Sequence, residues 1–286
     1  LASSVTTNTF DIVACTGNAS LALVMRNVAA VVGVKNISLL KEIDLIPNQQ
    51  VMTGGYYLEG GGGQGDYLIK TIAQASTDGD VIDGYGNHNL NNGLAAILQP
   101  EAGVPSVKQY GAVGDTSVDG TTGTDDTLSL QACITNNGKV RWDEGRYSCG
   151  QLRLFNGTYW QGFNSLSQSR SPTENGTRLY FIGEDGEDFI VADPSLFELT
   201  SCIIEDVSFS DNRTNPTTGK GVALGAAVNR IVFERCYFRS FPDGALFIGS
   251  TTNDRAGDNT SVSDCWLGSS NGSGIVIGNV NNNTTI

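Results

Sequence analysis

The 286-residue sequence predicts an all-β protein, a small β domain followed by a solenoid of stacked parallel coils. Two observations predict it: a 29-residue period in the second half, and a composition suited to tight turns. Ile204, Phe233 and Val262 stand 29 residues apart, as do Val207, Cys236 and Cys265, and Phe209, Phe238 and Leu267. Leu246 with Ile275, Ile248 with Ile277 and Gly249 with Gly278 repeat that spacing. A fixed period of about 20–50 residues marks a solenoid. Val207-Ser208-Phe209 alternates with period two, so the repeated elements are strands. Strands that recur once per coil stack in parallel sheets, with equivalent residues about 4.8 Å apart. Segments 204–209, 231–238 and 262–267 are therefore expected in one parallel sheet, with Ile204, Phe233 and Val262 in one interior column. The variable stretches 211–220 and 251–259 fall outside as loops.

Composition agrees. Gly occurs 36 times and Asn 24 times, and both supply the left-handed backbone that turns need. The length suggests two domains. A net charge of −13 weighs against a nucleic-acid backbone or an anionic membrane surface as partner. No stretch approaches the roughly 20 apolar residues of a membrane span; the nearest, 21–34, is interrupted by Arg26 and Asn27. The chain opens at Leu1 without a basic leader, so no signal peptide is expected. The six cysteines lack CxxC or Cys/His ligand spacing, so neither metal nor cofactor is expected. Stacked parallel strands orient Cys236 and Cys265 alike, which predicts buried free thiols rather than a disulfide.

Three regions follow: an N-terminal arm at 1–38, a Gly-rich domain at 39–103 and the solenoid at 104–286. In the arm, 21–34 could form a short helix. Ser38 is expected to open a helical turn, and alternation at Tyr67 and Ile69 and the pair Val81-Ile82 suggest short strands. The glycine run 60–63 lacks the Gly-Lys-Ser/Thr of a phosphate loop and leads straight towards a strand, so it reads as a structural loop. Thr124 can cap a helix with Asp125 and Asp126 in its first turn and Leu128, Leu130, Cys133 and Ile134 on its apolar side. Such a helix closes the open end of a solenoid.

The order Gly55-Tyr56-Tyr57, Gly60 to Gly63, Gly65, Tyr67, then Asp78-Gly79 and Val81-Ile82, resembles the small head-binding domain of phage tailspikes and polysaccharide depolymerases. Val107 to Asp115, Asp119-Gly120, Thr124 to Thr127 and Gln131 resemble the opening motif of pectate-lyase-like β-helices. Gly138 to Trp142 and Glu144 to Tyr147 are similar to that family's first strand and turn. The resemblance covers about residues 39–150 and implies a right-handed parallel β-helix with a virion-attachment domain ahead of it. It implies a homotrimer on a phage tail, neck or baseplate protein, acting at the host cell surface on polysaccharide. It leaves open whether the sugar is cleaved.

For cleavage, the register aligns Glu205 with Glu234 on the outer surface about one rung apart, near the separation of a retaining glycosidase pair. One would be proton donor and the other nucleophile. The alternative is an external ladder in which Asp206, Arg235 and Asp264 pair across rungs beside solvated glutamates. Asp115, Asp119, Asp125 and Asp126 read as turn and cap residues, and the single histidine, His88, as a turn residue. Trp142, Tyr147, Tyr159, Trp160 and Trp266 could stack on sugar rings, or serve packing. Two other functions stay open: a structural virion protein or adhesin without activity, and a secreted polysaccharide lyase or glycoside hydrolase.

Overall fold

A computed structural model describes residues 31–163, 176–225, 227–249, 259–269 and 272–277. The expected arm, most of loop 251–259, Cys15 and the Gly249–Gly278 column therefore lie wholly or partly outside the described residues. The chain forms two compact units, 1–99 and 100–286.

The described part of the first unit is built on one mixed sheet. Its strands are β1 (Val32–Val34), β2 (Gln50–Thr53), β3 (Asp66–Thr71), β4 (His88–Asn89) and β5 (Leu94–Leu98), ordered β1-β2-β3-β5-β4. Helix α1 (Ile37–Glu42) lies between β1 and β2. Asn36, rather than Ser38, caps it by accepting the Leu39 N–H at 3.0 Å. Helix α2 (Ile72–Asp78) follows β3 directly, with Thr71 and Gln74 forming a capping box and Gly79 ending it at φ 78°. Val81 and Ile82 are not in a strand. His88, expected in a turn, sits buried in β4 beside Tyr56 and Tyr67. Burial and nearby Lys41 push its pKa down to about 3, so it is neutral at physiological pH.

The second unit is a parallel β-helix. Helix α3 (Thr127–Asn136) precedes it and buries Leu130, Cys133 and Ile134. Leu128 is 69% exposed and does not join that face. Thr124 does not cap the helix; its N–H and hydroxyl donate to Asp115. The position before the helix is Asp126, whose carboxylate turns back to accept the Val113 N–H at 2.7 Å and the Gly114 N–H at 3.1 Å. This ties the opening loop to the helix start.

Five coils follow. The first holds β6 (Lys139–Arg141), β7 (Gly145–Cys149) and β8 (Leu152–Leu154), and the second β9 (Tyr159–Gln161), β10 (Thr177–Phe181) and β11 (Ile190–Ala192). The third holds β12 (Glu198–Glu205), β13 (Ser208–Asp211) and β14 (Val222–Leu224). The fourth holds β15 (Ala227–Glu234), β16 (Tyr237–Phe241) and β17 (Gly244–Ile248), and the last β18 (Ser261–Ser263), β19 (Trp266–Ser269) and β20 (Ser273–Ile277). Each coil gives one strand to each of three parallel sheets: β6-β9-β12-β15-β18, β7-β10-β13-β16-β19 and β8-β11-β14-β17-β20. Interior columns run Val140–Trp160–Ile204–Phe233–Val262 and Tyr147–Leu179–Phe209–Phe238–Leu267. A third runs Leu152–Ile190–Val222–Leu246–Ile275.

One further expectation is corrected. Segments 204–209, 231–238 and 262–267 do not stay in one sheet. Each bends between two sheets at Asp206, Arg235 and Asp264, which have φ of 57°, 50° and 52°. A single left-handed residue turns the strand without a loop. Beyond the bend, Cys236 is buried and Cys265 only half-buried, both as free thiols. The Cys236 N–H donates to the Cys265 sulfur at 3.4 Å.

The Asp126 contact has a pH signature. Burial pushes its carboxyl up to about 6, while the two N–H donors pull it down and Asp115 and Asp125 add to the rise. The folded chain thus holds this proton more tightly than the unfolded chain, whose carboxyl titrates near 3.8. The contribution favours folding below about pH 4 and is lost as pH rises through about 6, by up to about 3 kcal/mol. Asp126→Asn should lack that component. Denaturant unfolding of both proteins at pH 4 and pH 7 checks it, and equal pH dependence in the two would exclude it.

Candidate functional site

The outer surface at the bend between the first two sheets concentrates the charged side chains that the register aligned. Adjacent parallel strands place Gln161, Glu205, Glu234 and Ser263 in one outward column. The next residue in the last three coils is the left-handed one, so the side chains of Asp206 and Arg235 emerge at the corner. Arg235 donates Nε to Asp206 Oδ1 at 2.9 Å and Nη2 to Asp206 Oδ2 at 2.8 Å, a bidentate pair. Its Nη1 donates to Glu234 Oε1, and its Nη2 reaches Glu205 Oε2 at 3.4 Å. The Tyr159 hydroxyl donates to Glu205 Oε1.

These groups are half-buried: side-chain exposure is 14% for Glu205, 21% for Asp206 and 36% for Glu234. The bond to Asp206, ahead of the other carboxylates, holds the Arg235 guanidinium above its ordinary range. Burial, then the bond to Glu205, pushes Tyr159 up to about 12, so its hydroxyl stays a donor. Three carboxylates around one guanidinium leave local negative charge. The site can offer carboxylate acceptors and guanidinium and phenol donors to sugar hydroxyls.

Glu205 and Glu234 thus come together on adjacent strands, as expected, with Arg235 contacting both. The Asp206–Arg235 rung of the alternative ladder is formed as well. Two residues further on, Tyr237 and Trp266 face outwards and stack at 4.3 Å with planes 6° apart. Trp266 is 46% exposed. Trp142, Tyr147 and Trp160 are buried in the core, and Tyr159 is half-buried. Asp115, Asp119 and Asp125 accept bonds from neighbouring turn groups. Sequence reasoning missed Tyr237 and the part of Tyr159 at Glu205. The first was visible, because Tyr237 and Trp266 keep the 29-residue spacing. The second was not, since Tyr159 lies outside that period. Among the described residues no group of three or more His, Cys, Asp or Glu is placed to hold a metal ion. Among the described residues no helix is long and apolar enough to cross a membrane.

Several solved structures are similar. The tailspike protein gp49 of Acinetobacter baumannii bacteriophage Fri1, a capsular polysaccharide depolymerase, matches 82% of this chain with a TM-score of 0.61 at 15% identity. The chain shares the tailspike fold. The enzymatically active domain of bacteriophage CBA120 tailspike protein 2 matches 85% with a TM-score of 0.59 at 12% identity. The gp42 tailspike of Acinetobacter phage vb_AbaP_AS12 matches 82% with a TM-score of 0.54 at 15% identity. This chain spans less than half of each: 42%, 35% and 44% respectively. Neither a family model nor a curated protein matches the sequence.

Proposed function

We propose that this chain works as a phage tailspike that binds host surface polysaccharide on its β-helix and joins the virion through its first unit. The observation that carries the reading is the five-coil parallel β-helix with the tailspike fold and a half-buried outer cluster of Tyr159, Glu205, Asp206, Glu234 and Arg235. Carboxylates and a guanidinium fixed on stacked strands suit the hydroxyls of an extended, repeating glycan. The protein acts at the host cell surface, carried by a tail, neck or baseplate protein, as a homotrimer. An outward apolar column of Val191, Ala223, Phe247 and Val276 on the third sheet supports the homotrimer.

The Glu205–Glu234 pair is the candidate for cleavage. Retaining hydrolysis needs two carboxyl groups about 5 Å apart, and adjacent rungs lie about 4.8 Å apart. Against it, Arg235 contacts both carboxylates, as an external ion-pair ladder without catalysis also would. The purified chain is expected to retain host capsular polysaccharide on a column, and Arg235→Ala to weaken retention about tenfold or more. If the pair cleaves, the wild-type protein releases reducing ends, and Glu205→Gln or Glu234→Gln lowers that release at least about 100-fold while binding persists. Binding without reducing ends leaves recognition and removes cleavage. No binding at all removes both.

A further inference from the structure

The outer face of the second sheet reverses the charge of the chain. The sequence carries 30 acidic against 17 basic residues. Outward positions of this sheet alternate with the inward column Tyr147–Leu179–Phe209–Phe238–Leu267. Across the five strands those positions hold Arg146, Arg178 and Arg239 and no carboxylate.

The opening loop covers the first part of the face. Thr116 Oγ1 donates to Ser148 Oγ at 2.9 Å, and the Tyr180 hydroxyl donates to Val118 O at 3.1 Å. Arg146 is drawn into that cover, its Nε donating to Thr116 O at 2.7 Å. On the last two coils Tyr237 is half-buried, while Arg239 and Trp266 are exposed.

Tyr237 and Trp266 form one plate there, and Gly268 shapes it. A Cβ at 268 would stand 2.0 Å from Trp266 Cη2, so the glycine lets the indole lie along its own strand. Gly268 is the register partner of Arg239. The far edge of the indole therefore reaches the level of Arg239 on the neighbouring strand, about 4.8 Å away. Arg239 forms no ion pair among the described residues, whereas Arg235 meets three carboxylates. Arg235 and exposed Asp264 stand two residues before Tyr237 and Trp266, on the other side of the plate. The plate thus separates an acidic corner from an unpaired cation.

We infer that this plate seats an acidic sugar, whose ring rests on the indole and whose ionised carboxyl pairs with Arg239. This rests on the polysaccharide reading above and names the sugar class. The charge pattern says what fits. Towards the corner, a sugar carboxylate would meet Glu205, Asp206, Glu234 and Asp264, so its neutral hydroxyls turn that way. Towards Arg239 it meets a planar fork of donors that matches a carboxylate. A neutral glycan would gain no charge pairing from that arginine. A phosphodiester would place its charge between rings rather than on the ring that stacks.

The test uses host capsular polysaccharide before and after reduction of its carboxyls to alcohols. Of the three tryptophans, Trp142 and Trp160 are buried, so acrylamide quenching of fluorescence reads Trp266. Native polysaccharide should bind the wild-type protein and shield Trp266, and the reduced form should bind at least about tenfold more weakly. Arg239→Gln should weaken native binding by a similar factor and bind both forms alike, while Arg239→Lys keeps part of the preference. Trp266→Ala should weaken binding of both forms. Both side chains are exposed, so the melting temperature should be unchanged in these variants. No binding of native polysaccharide by the wild type would overturn the polysaccharide reading itself. Equal binding of the two forms by the wild type, or full native binding by Arg239→Gln, would overturn the acidic sugar and leave that reading standing. Native polysaccharide that binds without shielding Trp266 would overturn the plate as its seat.

Discussion

Arg213→Met should remove about 3–5 kcal/mol of stability from the β-helix unit, because it strands a buried carboxylate. Arg213 and Asp211 form a bidentate pair, with Nη2 at 2.7 Å from Oδ2 and Nε at 3.0 Å from Oδ1. Their side chains are 4% and 0% exposed. The guanidinium also donates to the carbonyls of Glu184 at 2.6 Å, Glu187 at 3.3 Å and Thr218 at 2.9 Å, and lies 4.7 Å from the centre of the Phe181 ring. One side chain thus joins the segments after β10 and β13. Asp185 reinforces the join by accepting from Thr217 and Thr218.

The methionine fills much of the same space but satisfies none of those acceptors. Guanidinium unfolding of the single variant, of Asp211→Asn and of the pair gives a double-mutant cycle. The double variant should be less destabilised than the two singles combined. A loss under about 1 kcal/mol for Arg213→Met would show that the carboxylate finds water, and that the two segments stand without this cation.

The last three coils were legible because they keep one spacing on the first two sheets; the first two coils were not. Val140, Trp160 and Ile204 occupy one column, yet they lie 20 and 44 residues apart. Strand stacking fixes what points inwards and leaves the connections free to lengthen, since closing a longer loop costs little. A period therefore disappears where connections vary, although the coil persists. The corner at Asp206, Arg235 and Asp264 shows the converse. The sequence aligned these residues, but the left-handed bend is signalled only weakly, by an aspartate at two of the three corners. Helix α2 was legible in principle, through Thr71, Gln74 and Gly79. It was missed because short apolar pairs among glycines read as strands. The candidate cluster was half legible. Glu205, Asp206, Glu234 and Arg235 follow from the period, whereas the Tyr159 contact depends on the irregular second coil.

Phe247→Asp should convert the proposed trimer into monomers at micromolar concentration. The third sheet presents an outward column of Val191, Ala223, Phe247 and Val276, one residue from each of four successive coils. Val276 is 36% exposed, and Lys220 lies over the Phe247 ring at 5.6 Å as a polar margin. Outward positions on strands are ordinarily polar, and the corresponding outward column on the first sheet carries Gln161, Glu205, Glu234 and Ser263. An apolar column along a straight face suits a long contact with another copy, and a three-fold arrangement uses the same face in every subunit. A buried, unpaired aspartate costs at least about 2 kcal/mol at each of three equivalent interfaces, enough to raise the dissociation constant more than about a thousandfold. Val232→Asp, a similar change on the outer face of the first sheet, should leave the mass unchanged. Light scattering after gel filtration reads both. A monomeric wild type would end the trimer reading, and a trimeric Phe247→Asp protein would move the interface to another face.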